Sequence, residues 1–360
     1  MKRRDFVKSM GVAALATSSL SISSQSMAAK AEFNWKMVTT WPKNFPVLGT
    51  SANRLAKTIE QMSGGRIRIK VYGANELVPA FEAFDAASRG TAEMGHGAPY
   101  YWKGKNEATQ FFSAIPFGMT AQEVNGWLYH GGGMALWEEL YDRFNLIPMA
   151  SGNTGVQMAG WFRKDIHSLD DLKGLKMRIP GLGGEVLKRA GGTPVSLPGG
   201  EVFTSLQSGA IDATEWIGPY NDMAFGLYKA AKNYYYPGWH EPGATLETFV
   251  NKDAFAGLPV DLQLIVKEAC KAANMDMLSE FMAKNNQALD SLVTKHNVQV
   301  KPLPDDVLKT MHRLSNEVIH ELIERDPFSQ KVYASYSNFQ QQAMRWSDLS
   351  EYAYMRARKI

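Results

Sequence analysis

One segment of this chain returns in altered form. "AFDAASRGTAEMG" (Ala83 to Gly95) and "VFTSLQSGAIDAT" (Val202 to Thr214) align Phe84 with Phe203, Gly90 with Gly209 and Glu93 with Asp212. Each copy reads as a short helix, a glycine stop and a buried strand. The sequence around each copy extends the match. "EFNWKMVTTW" alternates Phe33, Trp35 and Met37 on one face, as a half-buried strand does. "LGTSANRLAKTIEQMSGG" spaces Leu48, Ala52, Leu55, Ile59 and Met62 as a helix and stops at Gly64-Gly65, and "RIRIKVY" alternates again. Before the second copy come "LKMRIP" (strand), "GEVLKRAGG" (helix) and "TPVSLP" (strand). The order is β-α-β-α-β, twice, which predicts two parallel α/β lobes enclosing a cleft. Ligands of open α/β sheets sit at the carboxyl ends of strands, and Trp41, His96 and Glu215 all fall near such ends.

The remainder is helical. "VDLQLIVKEACKAANMDMLSEFMAKNNQALDSLVTKH" reads as one helix long enough to span both lobes. Asp305 is the expected cap of a further helix carrying Val307, Met311, Leu314, Val318 and Leu322. The amphipathic tail "SDLSEYAYMRARKI" has three readings: docked on the body, docked on a second copy as a homodimer contact, or loosely held. The expected division is 1–28 as a leader, 29–153 plus about 244–290 as lobe I, 154–243 plus about 291–340 as lobe II, and 341–360 as a C-terminal helix.

The leader reading rests on "MKRRDFVK", a short Ser-rich apolar run and "SMAA", which together predict a twin-arginine export signal and a periplasmic protein. Lys2, Arg3, Arg4 and Lys8 against Asp5 account for the whole net charge of +3. The remainder is near neutral, which removes any nucleic-acid reading. The single cysteine, Cys270, sits in a helical pattern without an activating base and reads as a buried structural thiol.

Enzyme motifs are weak. "YHGGG" (Tyr129 to Gly133) resembles an esterase oxyanion loop, but no Gly-x-Ser-x-Gly elbow accompanies it, so the glycines read as a break between helices. "GLGGEVLKRAGG" has Val186 where a dinucleotide loop needs its third glycine. The seven histidines include no metal-ligand pair at helical spacing. What remains is polar residues at strand ends. Arg178 is either a carboxylate grip in a cleft or a surface arginine. Gln157 is either a satisfied core amide or a ligand contact. Glu215 beside Trp216, and Glu241 in the aromatic "YYYPGWHEPG", either reach solvent or share an oxygen-coordinated cation.

"GNTGVQMAGWFRKDI", "LKGLKMRIPG", "GAIDATEWIGPYND" and "YYYPGWHEPG" resemble the substrate-binding proteins of tripartite ATP-independent periplasmic (TRAP) transporters, in the branch that takes 2-oxo acids with sodium. The resemblance covers essentially the whole chain after residue 28. It implies a periplasmic-binding-protein-like α/β fold, a membrane permease as partner and no catalysis. It implies that Arg178 binds the substrate carboxylate and that Gln157 touches substrate and cation. Glu215, the Trp216 carbonyl and Glu241 complete the cation shell, with sodium favoured and calcium the alternative. Trp216, Tyr100 and Asn153 are the further substrate contacts it suggests. His240 stands where a second aromatic would pack more simply, which leaves that part of the wall open. On this reading Arg178→Met abolishes binding and leaves the fold intact. Two other functions fit the same residues: an exported hydrolase or lyase with Glu215 or Glu241 as base, and a ligand-sensing subunit of a receptor kinase.

Overall fold

A computed structural model describes residues 31–360. The leader expected at 1–28 lies outside the described residues. The first unit is β1 (Phe33–Thr39), α1 (Leu48–Met62), β2 (Ile67–Tyr72), α2 (Ala83–Ser88) and β3 (Met94–Gly97). Gly131 and Gly132 of "YHGGG" separate α3 (Ala121–His130) from α4 (Gly133–Asp142), and β4 (Leu146–Asn153) follows. The chain then builds β5 (Gly160–Phe162), β6 (Lys176–Arg178), α5 (Gly181–Arg189), β7 (Thr193–Val195), α6 (Gly199–Ser208) and β8 (Ala213–Thr214). Next come α7 (Pro219–Phe225), β9 (Asn233–Tyr236), β10 (Thr245–Asn251), α8 (Lys252–Ala256), α9 (Val260–His296) and β11 (Gln299–Pro302). Three helices end the chain: α10 (Asp305–Arg325), α11 (Pro327–Leu349) and α12 (Glu351–Ala357).

The strands form two sheets, ordered β2-β1-β3-β10-β4 and β11-β9-β5-β8-β6-β7. The two copies of the repeat occupy equivalent places, β2-β1-β3 and β7-β6-β8, all parallel. Glu93 and Asp212 do the same work in each. Glu93 accepts the backbone N–H of Lys36 on β1 at 2.6 Å, and Asp212 accepts that of Lys176 on β6 at 3.0 Å. Gly90 (φ 73°) and Gly209 (φ 80°) end their helices in the left-handed conformation that a side chain disfavours.

The sheets are mixed rather than wholly parallel. β10 runs antiparallel to β3 and β4, and β5 runs antiparallel to β8 and β9. The cause is the chain's path. It leaves the first sheet at β4, returns to it at β10, and each re-entry strand runs against its neighbour. The crossings are therefore 154–159, 237–244 and α9. At a rise of about 1.5 Å per residue, α9 is about 55 Å long. It packs against β4 and α1 on one side and α7 on the other. Cys270 lies buried on it, among the side chains between α9 and the first sheet.

Three local expectations change. The strand read through Ala210–Trp216 is only Ala213–Thr214, because its partners β5 and β6 are three residues each and leave no ladder beyond. Pro304, not Asp305, stands at the cap of α10. Asp305 and Asp306 lie in its first turn, where acidic charge suits the helix dipole. Residue 341 begins no helix, since α11 runs unbroken from Pro327 and the break falls at Ser350. No helix among the described residues is long and apolar enough to cross a membrane.

Candidate functional site

β6 and β8 are adjacent and parallel, with Arg178 opposite Thr214. Their carboxyl ends therefore deliver Arg178 and Glu215 side by side. Neither is exposed: Arg178 is 1% and Glu215 0% accessible, so the surface-arginine and solvated-acid readings both fall. The Arg178 guanidinium donates to the Glu215 carboxylate, to the Glu215 carbonyl at 3.3 Å, to the Leu197 carbonyl at 3.2 Å and to the Tyr101 hydroxyl at 3.3 Å. Its carbon lies 4.8 Å from the centre of the Trp216 ring. Burial opposes the guanidinium charge most strongly, but Glu215, Tyr101, Tyr100 and Glu241 together outweigh it and raise the group above its ordinary range. Because Arg178 neutralises a buried acid, Arg178→Met is expected to cost stability as well as binding.

The two short crossings meet beside this pair. Gln157 N–H donates to the Glu241 carbonyl at 3.2 Å, Gly238 N–H to the Gln157 carbonyl at 2.9 Å, and Glu241 N–H to the Gly238 carbonyl at 3.2 Å. Met158 N–H donates to the Ile217 carbonyl at 3.0 Å, tying the first crossing to the segment after β8. The Gln157 side-chain amide donates to Glu241 Oε2 at 2.7 Å and to Thr154 Oγ1 at 3.1 Å. Among the described residues its Oε1 has no hydrogen-bond partner, nor has Glu215 Oε2. Burial first, and the Glu215 charge second, push the Glu241 carboxyl well above the ordinary range, against the pull of Arg178 and Gln157.

His240 completes the cluster. Its Nε2 lies 3.5 Å from Glu215 Oε2, and among the described residues neither ring nitrogen has a hydrogen-bond partner. Glu215, His240 and Glu241 each offer a ligand atom within 4.8 Å of the others. Two carboxylates, an imidazole and the unpartnered Gln157 oxygen, buried together, fit a cation.

The other expected residues are placed as follows. Trp216 follows Glu215 past the end of β8. Asp222, in the first turn of α7, holds this stretch. It accepts from the Ile217 N–H at 3.2 Å, Trp161 Nε1 at 2.9 Å and the Tyr234 hydroxyl at 2.8 Å. Burial raises the Asp222 carboxyl to about 7 in spite of those donors. Tyr100 is buried, and packs against Gly181, where a Cβ would lie 3.3 Å from its own. It lines a cavity of about 420 Å³ between the lobes, with Tyr101, Ile179, Gly184 and Val195. Asn153 commits its amide to the Gly243 carbonyl at 3.1 Å and accepts from Gly155 N–H at 2.9 Å, so it braces the two crossings. Trp41 donates to His96 Nδ1 at 2.8 Å and meets the Trp216 ring edge-on at 6.3 Å, bringing the first lobe to the site. Burial lowers His96 to about 4.

Sequence reasoning missed His240 as a cluster member, Tyr101 on Arg178, Thr154 on Gln157 and Asp222. The adjacency of His240 to Glu241 was the only available signal. Tyr101 carries none that separates it from Tyr100.

Two α/β lobes joined by crossings that carry a buried, charged, partly unsatisfied cluster define a bilobal solute-binding protein. The chain matches the bacterial extracellular solute-binding protein family 7 over residues 37–326. It belongs to that family, as a periplasmic solute-binding protein of TRAP transporters. It is 41% identical to a monocarboxylate 2-oxoacid-binding periplasmic protein of Nostoc sp., over 98% of each chain. It is similar to two crystal structures of TRAP periplasmic solute-binding proteins. That from Colwellia psychrerythraea, with bound calcium and pyruvate, has 42% identity and a TM-score of 0.87, covering 91% of this chain and 100% of the other. That from Pseudoalteromonas atlantica, with bound sodium and pyruvate, has 41% identity and a TM-score of 0.87, covering 91% and 99%.

Proposed function

We propose that this protein captures a small 2-oxo monocarboxylate, pyruvate being favoured, together with a cation, and delivers it to a TRAP membrane permease. The observation that carries the reading is the buried Arg178–Glu215 pair beside unpartnered acceptors on Glu215 and Gln157. The ligands of the Colwellia and Pseudoalteromonas proteins support it.

In this reading Arg178 grips the substrate carboxylate, a charge-assisted contact. Glu215, Gln157 Oε1, the Trp216 carbonyl and Glu241 hold the cation, sodium or calcium. The cation supplies positive charge that neutralises the carboxylates and polarises substrate oxygen. Trp216 packs on the guanidinium, Tyr100 walls the site, and Asn153 keeps the crossings in register. Burial excludes water and strengthens each electrostatic contact. The site binds and releases; it makes no bond. Arg178 holds Glu215 as a counter-ion, which suits a cation ligand better than a general base.

The same reading takes residues 1–28 as a twin-arginine export signal. It takes 29–153 plus about 244–290 and 154–243 plus about 291–340 as the two lobes, which the sheet membership of the strands supports. Among the described residues α12 buries none of its own side chains, and Trp346 and Leu349 at the end of α11 and Tyr352 on α12 are exposed, apolar surface suited to a homodimer contact.

Isothermal titration of metal-stripped protein tests the core of this. Heat with pyruvate that requires sodium or calcium is expected. No heat with any 2-oxo acid under either cation would remove the ligand class. Product analysis after long incubation separates binding from hydrolysis or lysis.

A further inference from the structure

We propose that the strap between β1 and α1, residues 41–47, is a strained clamp that grips α7 across the cleft and sets how long a bound solute is held. The inference rests on the solute-binding reading above and deepens it.

Val47 is a β-branched residue at φ 61° and ψ −63°. That is the geometry of a tight γ-turn, and the Leu48 N–H closes it by donating to the Pro46 carbonyl at 2.8 Å. A β-branched residue adopts this strained conformation only where its surroundings impose it. Two of the contacts that do so come from α7. The Asn221 side-chain amide, on a fully buried residue, donates to the same Pro46 carbonyl at 3.0 Å. The Phe45 ring stacks on Phe225 with centroids 4.1 Å apart. Phe225 in turn meets the Trp216 ring edge-on at 5.0 Å, and Trp41, at the start of the strap, meets the same ring at 6.3 Å. Two aromatics of the strap are thus joined to two beyond the cleft.

The grip reaches the solute site by a short path. Asn221 adjoins Asp222, which holds the Ile217 N–H and with it the Trp216 peptide. Withdrawal of α7 takes Asn221 and Phe225 from the strap, and the Val47 turn loses contacts that offset its strain. The turn relaxes, and the Pro46 carbonyl leaves the position that Asn221 needs. The strap therefore has two states, and a solute that holds the cleft shut favours the strained one.

The test measures pyruvate association and dissociation by stopped-flow fluorescence, at saturating sodium or calcium. It compares wild type with Phe45→Leu, Phe225→Leu and Asn221→Leu. Each variant should release pyruvate about tenfold faster, with association changed by less than about threefold. A residue that only supports the fold would lower Tm without moving the dissociation rate. Amide hydrogen exchange over residues 43–50 of the wild type is a second readout that needs no variant. Pyruvate with its cation should slow that exchange by about tenfold or more. Dissociation rates like that of the wild type in the folded variants, or exchange unaffected by pyruvate, would overturn the clamp and leave the solute-binding reading standing. If the wild type binds no 2-oxo acid with either cation, both fail.

Discussion

Asp222 accepts the backbone N–H of Ile217 at 3.2 Å, and that N–H belongs to the same peptide unit as the Trp216 carbonyl. A peptide plane is rigid, so fixing its N–H aims its C=O the opposite way. A carboxylate on the N–H also makes the carbonyl oxygen a better donor to a cation. Asp222→Asn offers one acceptor where three donors converge. It should cost about 1–3 kcal/mol in thermal unfolding, and weaken cation-dependent pyruvate binding by about tenfold. Unchanged affinity in a destabilised variant would mean that Asp222 only supports the fold.

Arg178 and Glu215 form a buried ion pair. Arg178→Met strands a buried acid and should lower stability by about 3–5 kcal/mol. Adding Glu215→Gln should restore most of that loss, while neither protein binds pyruvate. A double-mutant cycle by denaturant unfolding measures this. Additive losses would show that the two side chains are not coupled.

Glu247 on β10 is buried away from the cluster. It accepts from Trp102 Nε1 and the Tyr141 hydroxyl, and its second oxygen has no hydrogen-bond partner among the described residues. Burial lifts its carboxyl from 4.5 to about 8. The folded protein therefore holds this proton more tightly than the unfolded chain. The resulting stability is complete below pH 4.5 and declines as pH rises to about 8, at a limiting slope of about 1.4 kcal/mol per pH unit. Glu247→Gln should flatten the fall of Tm between pH 5 and pH 8. Parallel profiles for the two proteins would place the proton elsewhere.

Gly238 lies so close to the first crossing that a Cβ would stand 2.3 Å from the Gln157 carbonyl oxygen. Gly238→Ala must displace the Gln157 backbone. We expect pyruvate affinity to fall by about tenfold or more, and stability by about 1–3 kcal/mol. Gly104→Ala, at a position with no atom within 4 Å, is the control and should be silent. Equal affinities for the two variants would count against the role of the crossing.

The repeat made both lobes legible, because helix and strand periods survive where identities do not. The long helix matched its pattern from Val260 to His296. The antiparallel strands were hidden, since strand direction depends on where the chain crosses and no local pattern encodes that. At the site, residue types were visible and partnerships were not. An acid beside Trp216 looks the same whether water or Arg178 neutralises it. His240 looked like a misplaced aromatic because its neighbours come from β8 and α5, far away in the chain.

Gln157, His240 and Glu241 all lie on the strands of chain that pass from one lobe to the other. Points near an axle travel little when the arms turn, while the tips travel far. A rotation of the lobes about these crossings would therefore move these three residues little. The outer rims convert the same rotation into the largest displacement the molecule can show to a membrane partner.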